Sequence, residues 1–207
     1  MNIPSKILQN AVDQISSLPG IGKKTALRLA LSLLKRSEDE ISAFSGSIQN
    51  LKHEIKECSR CYNLSDKEVC SICENPHRNP KLLCIVEDIR DVMAIESTGK
   101  FKGLFHVLGG VISPMDGIGP NDLKIEQLLK RLKTESINEI ILALSTTMEG
   151  DTTAFFLSKK MSSFDVNLTT IARGVSSGDE LEYIDEITLG RSIVNRLPYR
   201  IEQSNSI

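Results

Sequence analysis

Four cysteines in two CxxC pairs, Cys58-Ser-Arg-Cys61 and Cys70-Ser-Ile-Cys73, constrain the middle of this chain more than any other feature. Residues 58–80 have almost no hydrophobic periodicity, so they lack the apolar material to close a core of their own. Two thiolates three positions apart on a tight turn can hold one metal ion from adjacent corners, and a second such turn completes a tetrahedron with Zn–S of ~2.3 Å. The ion then supplies the folding free energy that side-chain burial cannot. With Cys58, Cys61, Cys70 and Cys73 all from the protein, no position is open to water, so the expected zinc is structural rather than catalytic. A redox dithiol is the competing reading, but it needs one CxxC at a strand–helix junction, not two flanking a short loop.

Disulfides are excluded on compartment. The chain begins Met-Asn-Ile-Pro-Ser-Lys, without the apolar block of a secretory signal. It also has no run of roughly 18 apolar residues that could span a bilayer. The expectation is a soluble, cytoplasmic protein with no membrane partner, in which thiols stay reduced. The fifth cysteine, Cys84, lies in the apolar run Leu82-Leu83-Cys84-Ile85-Val86 and reads as a small core residue.

On either side of the cysteines the texture differs. From Ser5 to about Ile55 apolar residues recur at helical spacing: Ile7, Leu8, Val12 and Ile15, then Ala26, Leu27, Leu29, Ala30, Leu33 and Leu34. A third helix is expected over Glu38 to Ile55. After the breaker-rich Asn75-Pro76-His77-Arg78-Asn79-Pro80, the run 82–86 has the length and composition of a strand buried on both faces of a parallel sheet. Similar runs follow at Leu104–Leu108, Ile140–Leu144 and Leu168–Ala172, with helical stretches expected at Asp122–Lys133 and Thr153–Met161. Strand–helix alternation of this kind means βαβ units and an α/β layer domain. The tail is loop-like through Gly174 and Gly178 and then helical near Ile187–Leu197. The expected fold class is therefore α/β multidomain, with a helical N-terminal part, a small metal-held module, a parallel-sheet domain and a helical tail.

Charge is unevenly spread. Whole-chain net charge is −2, yet residues 1–36 carry six basic residues against Asp13 alone. A basic head on an acidic body suggests a polyanionic partner. Within that head, Leu18-Pro19-Gly20-Ile21-Gly22-Lys23-Lys24-Thr25 joins two amphipathic helices. Gly20 and Gly22 permit conformations closed to other residues and a close approach of backbone to ligand. The helix that follows offers free N–H groups and its positive dipole end to a phosphate, with Lys23, Lys24 and Arg28 alongside. Such a site grips a nucleic-acid backbone without reading bases. A nucleotide-binding P-loop is rejected, because Ser17 stands where its first Gly belongs, Lys24 where its Ser/Thr belongs, and a helix rather than a strand precedes. The segment resembles the helix-hairpin-helix motif of DNA repair proteins.

Glu87 follows the first buried run directly, at the carboxyl edge of an open α/β sheet where ligand sites form. Glu149-Gly-Asp151 follows the run Ile140–Leu144 and is expected on the same edge. Three carboxylates gathered there could hold Mg²⁺, which takes a few oxygen ligands and keeps several waters. A Glu after the first strand and an acidic-x-acidic pair after a later one also resemble the Toprim domain of topoisomerases, primases and some nucleases. Of the histidines, His77 reads as a surface linker residue and His106 as a hydrogen-bonded, partly buried strand residue; neither they nor His53 carries an expected role.

Hairpin, four-cysteine finger and Toprim-like domain, in that order, are similar to the bacterial recombination-mediator family RecR. Further matching stretches are Val86–Val92, His106–Gly110, Ser113–Pro120, Ile171–Gly174 and Asp179–Gly190, the last in a region described for that family as Walker B-like. The resemblance implies domains at 1–57 (helix-hairpin-helix), 58–73 (zinc finger), 80–173 (Toprim) and 174–207 (C-terminal segment). It implies a non-enzymatic DNA-binding protein that works with RecO and RecF to load RecA on single-stranded gaps coated by SSB. It further implies ring-shaped homo-oligomers able to encircle DNA, with RecO contacting the Toprim region. One departure is Ser145-Thr-Thr-Met-Glu149 where the family commonly has Asn-Pro-Thr; the missing proline is expected to free the loop before Glu149 and Asp151. Acidic Walker B-like residues without a P-loop do not make an ATPase.

Two other functions compete with a DNA-binding scaffold. In a Mg²⁺-dependent Toprim nuclease, Glu87 would act as acid/base while Glu149 and Asp151 held the ion. A zinc-stabilised adaptor would bind only protein. A topoisomerase is excluded, because no tyrosine (Tyr62, Tyr183, Tyr199) has a supporting context and the chain is too short for a strand-passage gate.

Overall fold

The structure, a computed structural model, describes residues 3–175, 178, 180–196 and 198. The chain divides into two compact units, 1–56 and 57–207.

Among its described residues the first unit holds three helices: α1 (Lys6–Ser16), α2 (Lys23–Leu33) and α3 (Glu38–His53). Each start is written in the sequence. Ser5 caps α1 by accepting the Leu8 N–H at 3.3 Å, and Ser37 with Glu40 forms a reciprocal capping box on α3. Helical spacing puts Val12 against Ala26 and Ala30, with Leu8, Ile15, Ile21 and Leu27 packed around them. The two alanines let the backbones of α1 and α2 come close. By contrast, α3 buries no residue. It ends at His53 rather than Ile55, because the chain there enters a short ribbon pairing β1 (Lys56–Glu57) with β2 (Leu64–Ser65).

In the second unit a short helix, α4 (Ser71–Glu74), closes the cysteine module. The sheet that follows comprises β3 (Leu82–Val86), β4 (Leu104–Val107), β5 (Glu139–Ala143) and β6 (Asn167–Thr170). All pairings are parallel and the spatial order is β4-β3-β5-β6. Two-residue periodicity feeds two cores. Leu83 and Ile85 join Leu104, Ile140, Leu128 and Leu157 in one, while Cys84 and Val86 join Phe105, Val107 and Val92 in the other. This is why β3 reads as an unbroken apolar run. The connecting helices are α5 (Ile89–Ser97), α6 (Ile125–Thr134) and α7 (Met148–Met161), and α8 (Glu186–Val194) follows β6.

Two expected helices begin elsewhere. Over Asp122–Lys133 the chain forms a 3-10 turn at Pro120–Asp122 and only then α6. The helix expected at Thr153 already starts at Met148, because Thr147 caps it by accepting the Gly150 N–H. The tail helix expected at Ile187–Leu197 is seen as Glu186–Val194, and Leu197 lies outside the described residues, as do Asp179 and Tyr199. Among the described residues no helix is long and apolar enough to cross a membrane.

Candidate functional site

Three groups of residues carry chemistry. In the first, Cys58, Cys61, Cys70 and Cys73 are all buried, with sulfurs within 4.8 Å of one another. Cys61 and Cys70 Sγ stand 3.5 Å apart, close to the ~3.8 Å edge of a zinc–thiolate tetrahedron built on ~2.3 Å bonds. The Cys70 N–H donates to Cys58 Sγ at 3.2 Å, and the Cys58 N–H to the Asn63 carbonyl at 2.7 Å, so backbone groups fix the sulfurs. Hydrogen bonding with Cys61 and Cys73 lowers the pKa of the Cys70 thiol, and the same bond to Cys70 raises that of Cys61. Four converging thiols with no water position fit a structural zinc ion. Cys84 is apart from them, in β3, its thiol pushed up to about 12 by burial; it is the core residue its surroundings suggested.

The finger is bolted to the sheet. The Val107 N–H of edge strand β4 donates to the Cys61 carbonyl at 2.8 Å. Arg60 reaches from between the first two cysteines to Glu135 at 3.0 Å, and Arg131, also on Glu135 at 3.0 Å, donates to the Phe105 carbonyl of β4 at 2.7 Å. Burial opposes ionisation of Glu135, but bonds and charges from Arg60 and Arg131 outweigh it and lower its pKa. His106 is fully buried, not partly as expected. Its Nε2–H donates to the Lys124 carbonyl at 2.9 Å, and Nδ1 has no partner among the described residues.

The second group is the hairpin of the first unit. Gly20 adopts φ +78°, a left-handed conformation that demands glycine. Gly22 does not: as N-cap of α2 it has φ −79° and ψ 160°, open to any residue. Conformational need, expected at both positions, holds only at Gly20. An added Cβ on Gly22 would meet no protein atom within 4 Å, so packing does not require glycine there either. The start of α2 carries no side-chain cap and no acidic residue in its first turn. Lys23, Lys24 and Arg28 are exposed, and among the described residues only Lys23 has a carboxylate nearby, Asp13 at a loose 3.9 Å. Bare amides, a positive dipole end and three cations are the features that an anion-binding helix start has.

The third group lies at the carboxyl edge of the sheet, where the connections from β3 and β5 leave toward opposite sides. Glu87 and Glu149 share a cavity of about 490 Å³ with Asp116, Gly109 and Ser145. Asp151 does not line that cavity: Arg173 Nη1 donates to its carboxylate at 2.6 Å. Glu87 itself accepts the Ser145 N–H. Among the described residues, Glu87, Glu149 and Asp151 thus do not form a three-ligand cation cluster; the four cysteines do. Sequence spacing placed all three acids on one edge, but competing partners separate them.

The loop before Glu149 is held despite lacking proline. Ser145 is bonded to Glu87, the Ser145 and Thr147 hydroxyls are 3.0 Å apart, and Thr147 caps α7. Glu149 and Asp151 are therefore first-turn helix residues favoured by the dipole. Gly150 between them has a packing reason, since a Cβ there would sit 2.1 Å from the Ser145 carbonyl oxygen. Asp88 and Asp91, passed over in the sequence, form the capping box of α5, and Arg90 hydrogen-bonds Asp88 and lowers its pKa. Thr153, fully buried, accepts the Ile112 N–H at 2.8 Å and donates to the Glu149 carbonyl at 2.7 Å, tying the loop after β4 to α7. An Asp-x-x-Asp spacing and a Thr before an acidic turn were the signals for both caps.

Comparison with known proteins matches the same pieces in the same order. Residues 8–52 match the RecR helix-hairpin-helix family model, 55–75 the RecR four-cysteine zinc finger domain, 81–172 the Toprim domain and 174–196 the RecR C-terminal model. The recombination protein RecR of Parabacteroides distasonis is 57% identical over 203 residues, covering 98% of each chain. That of Bacteroides fragilis is 59% identical over 95% of this chain and 96% of its own, and that of Flavobacterium psychrophilum 52% identical over the whole of both. With every segment matched and identity above half along its length, this chain belongs to the RecR family of recombination proteins.

Proposed function

We propose that this protein is a DNA-binding recombination mediator in DNA repair, acting with RecO and RecF to load RecA on gapped single-stranded DNA. The observation that carries the DNA-binding part is the uncapped start of α2, flanked by exposed Lys23, Lys24 and Arg28 and reached past the bare face of Gly22. Residues 1–57 then grip the phosphate backbone, 58–73 form the zinc finger, 80–173 the Toprim domain and 174–207 the C-terminal segment. One such hairpin binds weakly and loses affinity with salt; a homo-oligomeric ring would multiply it by effective concentration.

The protein acts without catalysis in this reading. Glu87 is committed to Ser145 and Asp151 to Arg173, which favours a docking or weak Mg²⁺ role for the crevice over the metal-held acid cluster of a nuclease. The test has two arms. Lys23→Glu with Lys24→Glu should abolish DNA retention on a filter at low salt while zinc content and melting temperature hold; unchanged retention overturns the hairpin's role. Incubation with Mg²⁺ and labelled duplex, gapped and single-stranded DNA should leave all three intact; cleavage lost in Glu87→Gln would establish the nuclease instead.

A further inference from the structure

Tyr62 follows the second zinc-binding cysteine and adopts φ +63°, the only left-handed non-glycine among the described residues. An L-residue with a Cβ is strained there, because the Cβ crowds the following carbonyl oxygen, and glycine would avoid the strain. Strain of this kind persists where the surrounding structure over-determines it, and the surroundings of Tyr62 are specific. Its ring meets buried His106 of β4 edge-on, with centroids 5.4 Å apart and planes at 69°. Lys124 Nζ lies 5.2 Å above the ring centroid, and the same ammonium pairs with Glu57 at 2.9 Å. The ring also packs on the core that holds Val86, Phe105 and Val107.

From that contact a continuous bonded path leads to the acidic crevice. Val107 N–H bonds the Cys61 carbonyl, Leu108 N–H the Val86 carbonyl at 2.9 Å, and Gly109 N–H the Glu87 carbonyl at 2.9 Å. Lys124 closes a second loop, its N–H on the Leu108 carbonyl at 2.9 Å and its carbonyl on His106. Gly109 and Gly110, at φ +88° and +148°, are intrinsically loose, and they line the cavity shared by Glu87 and Glu149. Something must hold their approach, and the strand that delivers them is an edge strand, bonded among the described residues to a neighbouring strand on one side alone.

We propose that Tyr62 is a positioning residue: a strained knuckle tyrosine that locks the zinc finger onto β4 and thereby fixes the Gly109–Gly110 side of the acidic crevice. Zinc occupancy and crevice geometry are then one coupled property, carried through the edge strand. The functional weight of this coupling rests on reading the crevice as a docking site, but the coupling itself does not.

The test uses the full-length, zinc-loaded protein and amide hydrogen exchange, with zinc content measured in each variant. Tyr62→Ala should keep one zinc per chain yet raise exchange at residues 106–111 by ~10-fold, the order expected for losing an aromatic pair together with its packing. Tyr62→Phe keeps ring, edge contact and cation, and should restore native exchange. Tyr62→Gly removes strain and ring together; it should hold zinc at least as firmly against a competing chelator, yet exchange as fast at 106–111 as Tyr62→Ala. Faster exchange confined to 58–73, or native exchange at 106–111 in Tyr62→Ala, overturns the proposal. Neither result depends on what the crevice binds, so a failure here is distinct from a failure of the DNA-binding reading.

Discussion

Arg173 donates to the Asp151 carboxylate at 2.6 Å, taking the one acid of the expected cation trio that stands outside the shared cavity. The guanidinium supplies internally the positive charge that a divalent ion would bring, and an ion bound at the mouth of the crevice would have to displace it to reach that oxygen. Arg173→Gln should therefore increase occupancy of the crevice by Mn²⁺, used as a paramagnetic probe in place of Mg²⁺. Both side chains are partly exposed, so the gain is about two- to fivefold, the scale of a solvent-screened ion pair. Adding Asp151→Asn should cancel it. Equal broadening of crevice amides in the native and Arg173→Gln proteins would show that Asp151 takes no part in cation binding.

The two hairpin glycines should separate by experiment. Gly20→Ala forces a Cβ into the left-handed region in otherwise open space, costing about 1–2 kcal/mol and lowering the melting temperature. Gly22→Ala has no such strain. It should leave stability nearly unchanged and weaken DNA retention, because the new methyl stands where a phosphate strand must approach. A Gly22→Ala protein that binds DNA normally but melts early would reverse these roles.

How legible all this was in the sequence depends on range. The strand at 82–86 could be read because both of its faces are apolar, and the zinc site because ligand spacing within one short segment settles its geometry. Neighbouring features failed where one residue type serves two purposes. Asp88 and Asp91 cap α5, and Glu149 and Asp151 sit on the first turn of α7, yet isolated acids after strands look alike whether they face a dipole or a cation. Arg173 and Asp151 are 22 residues apart and meet only through the sheet. Tyr62 gave no local signal, since left-handed backbone is a property of the fold around it and not of tyrosine.

Removing the zinc should unmake the finger without unmaking the molecule. The hydrophobic cluster of the module consists of the four cysteines with Val69 and Ile72 beside them, so the ion replaces a core. Zinc binding in small fingers is worth about 10–16 kcal/mol, far above what two aliphatic side chains supply. A strong chelator, or Cys58→Ser, should erase exchange protection over 57–75 while leaving α1 and α2, which pack on Val12, Ala26 and Ala30, protected. Retained protection over 57–75 at zero zinc content would mean that contacts with β4 alone fold the finger.

His106 should give the stability of the second unit a distinct pH dependence. Burial pushes its pKa down from 6.5 to about 4, helped by the nearby charge of Arg131 and opposed by the hydrogen bond to the Lys124 carbonyl and the charge of Glu135. Between those two values the unfolded chain binds a proton that the folded chain refuses, so acid favours unfolding. The contribution is whole above pH 6.5 and drains away as pH falls toward 4, a loss of about 3 kcal/mol at ~1.4 kcal/mol per unit. His106→Gln keeps a donor for the Lys124 carbonyl but cannot titrate. Denaturant unfolding of both proteins across this range should show the native curve falling more steeply, with the difference between them levelling off below about pH 4. Thiolate protonation and zinc release act on both chains and cancel in the difference. Parallel curves would mean that the imidazole is protonated in the folded state, with the orphaned Nδ1 finding a partner that the packing around Tyr62 does not otherwise provide.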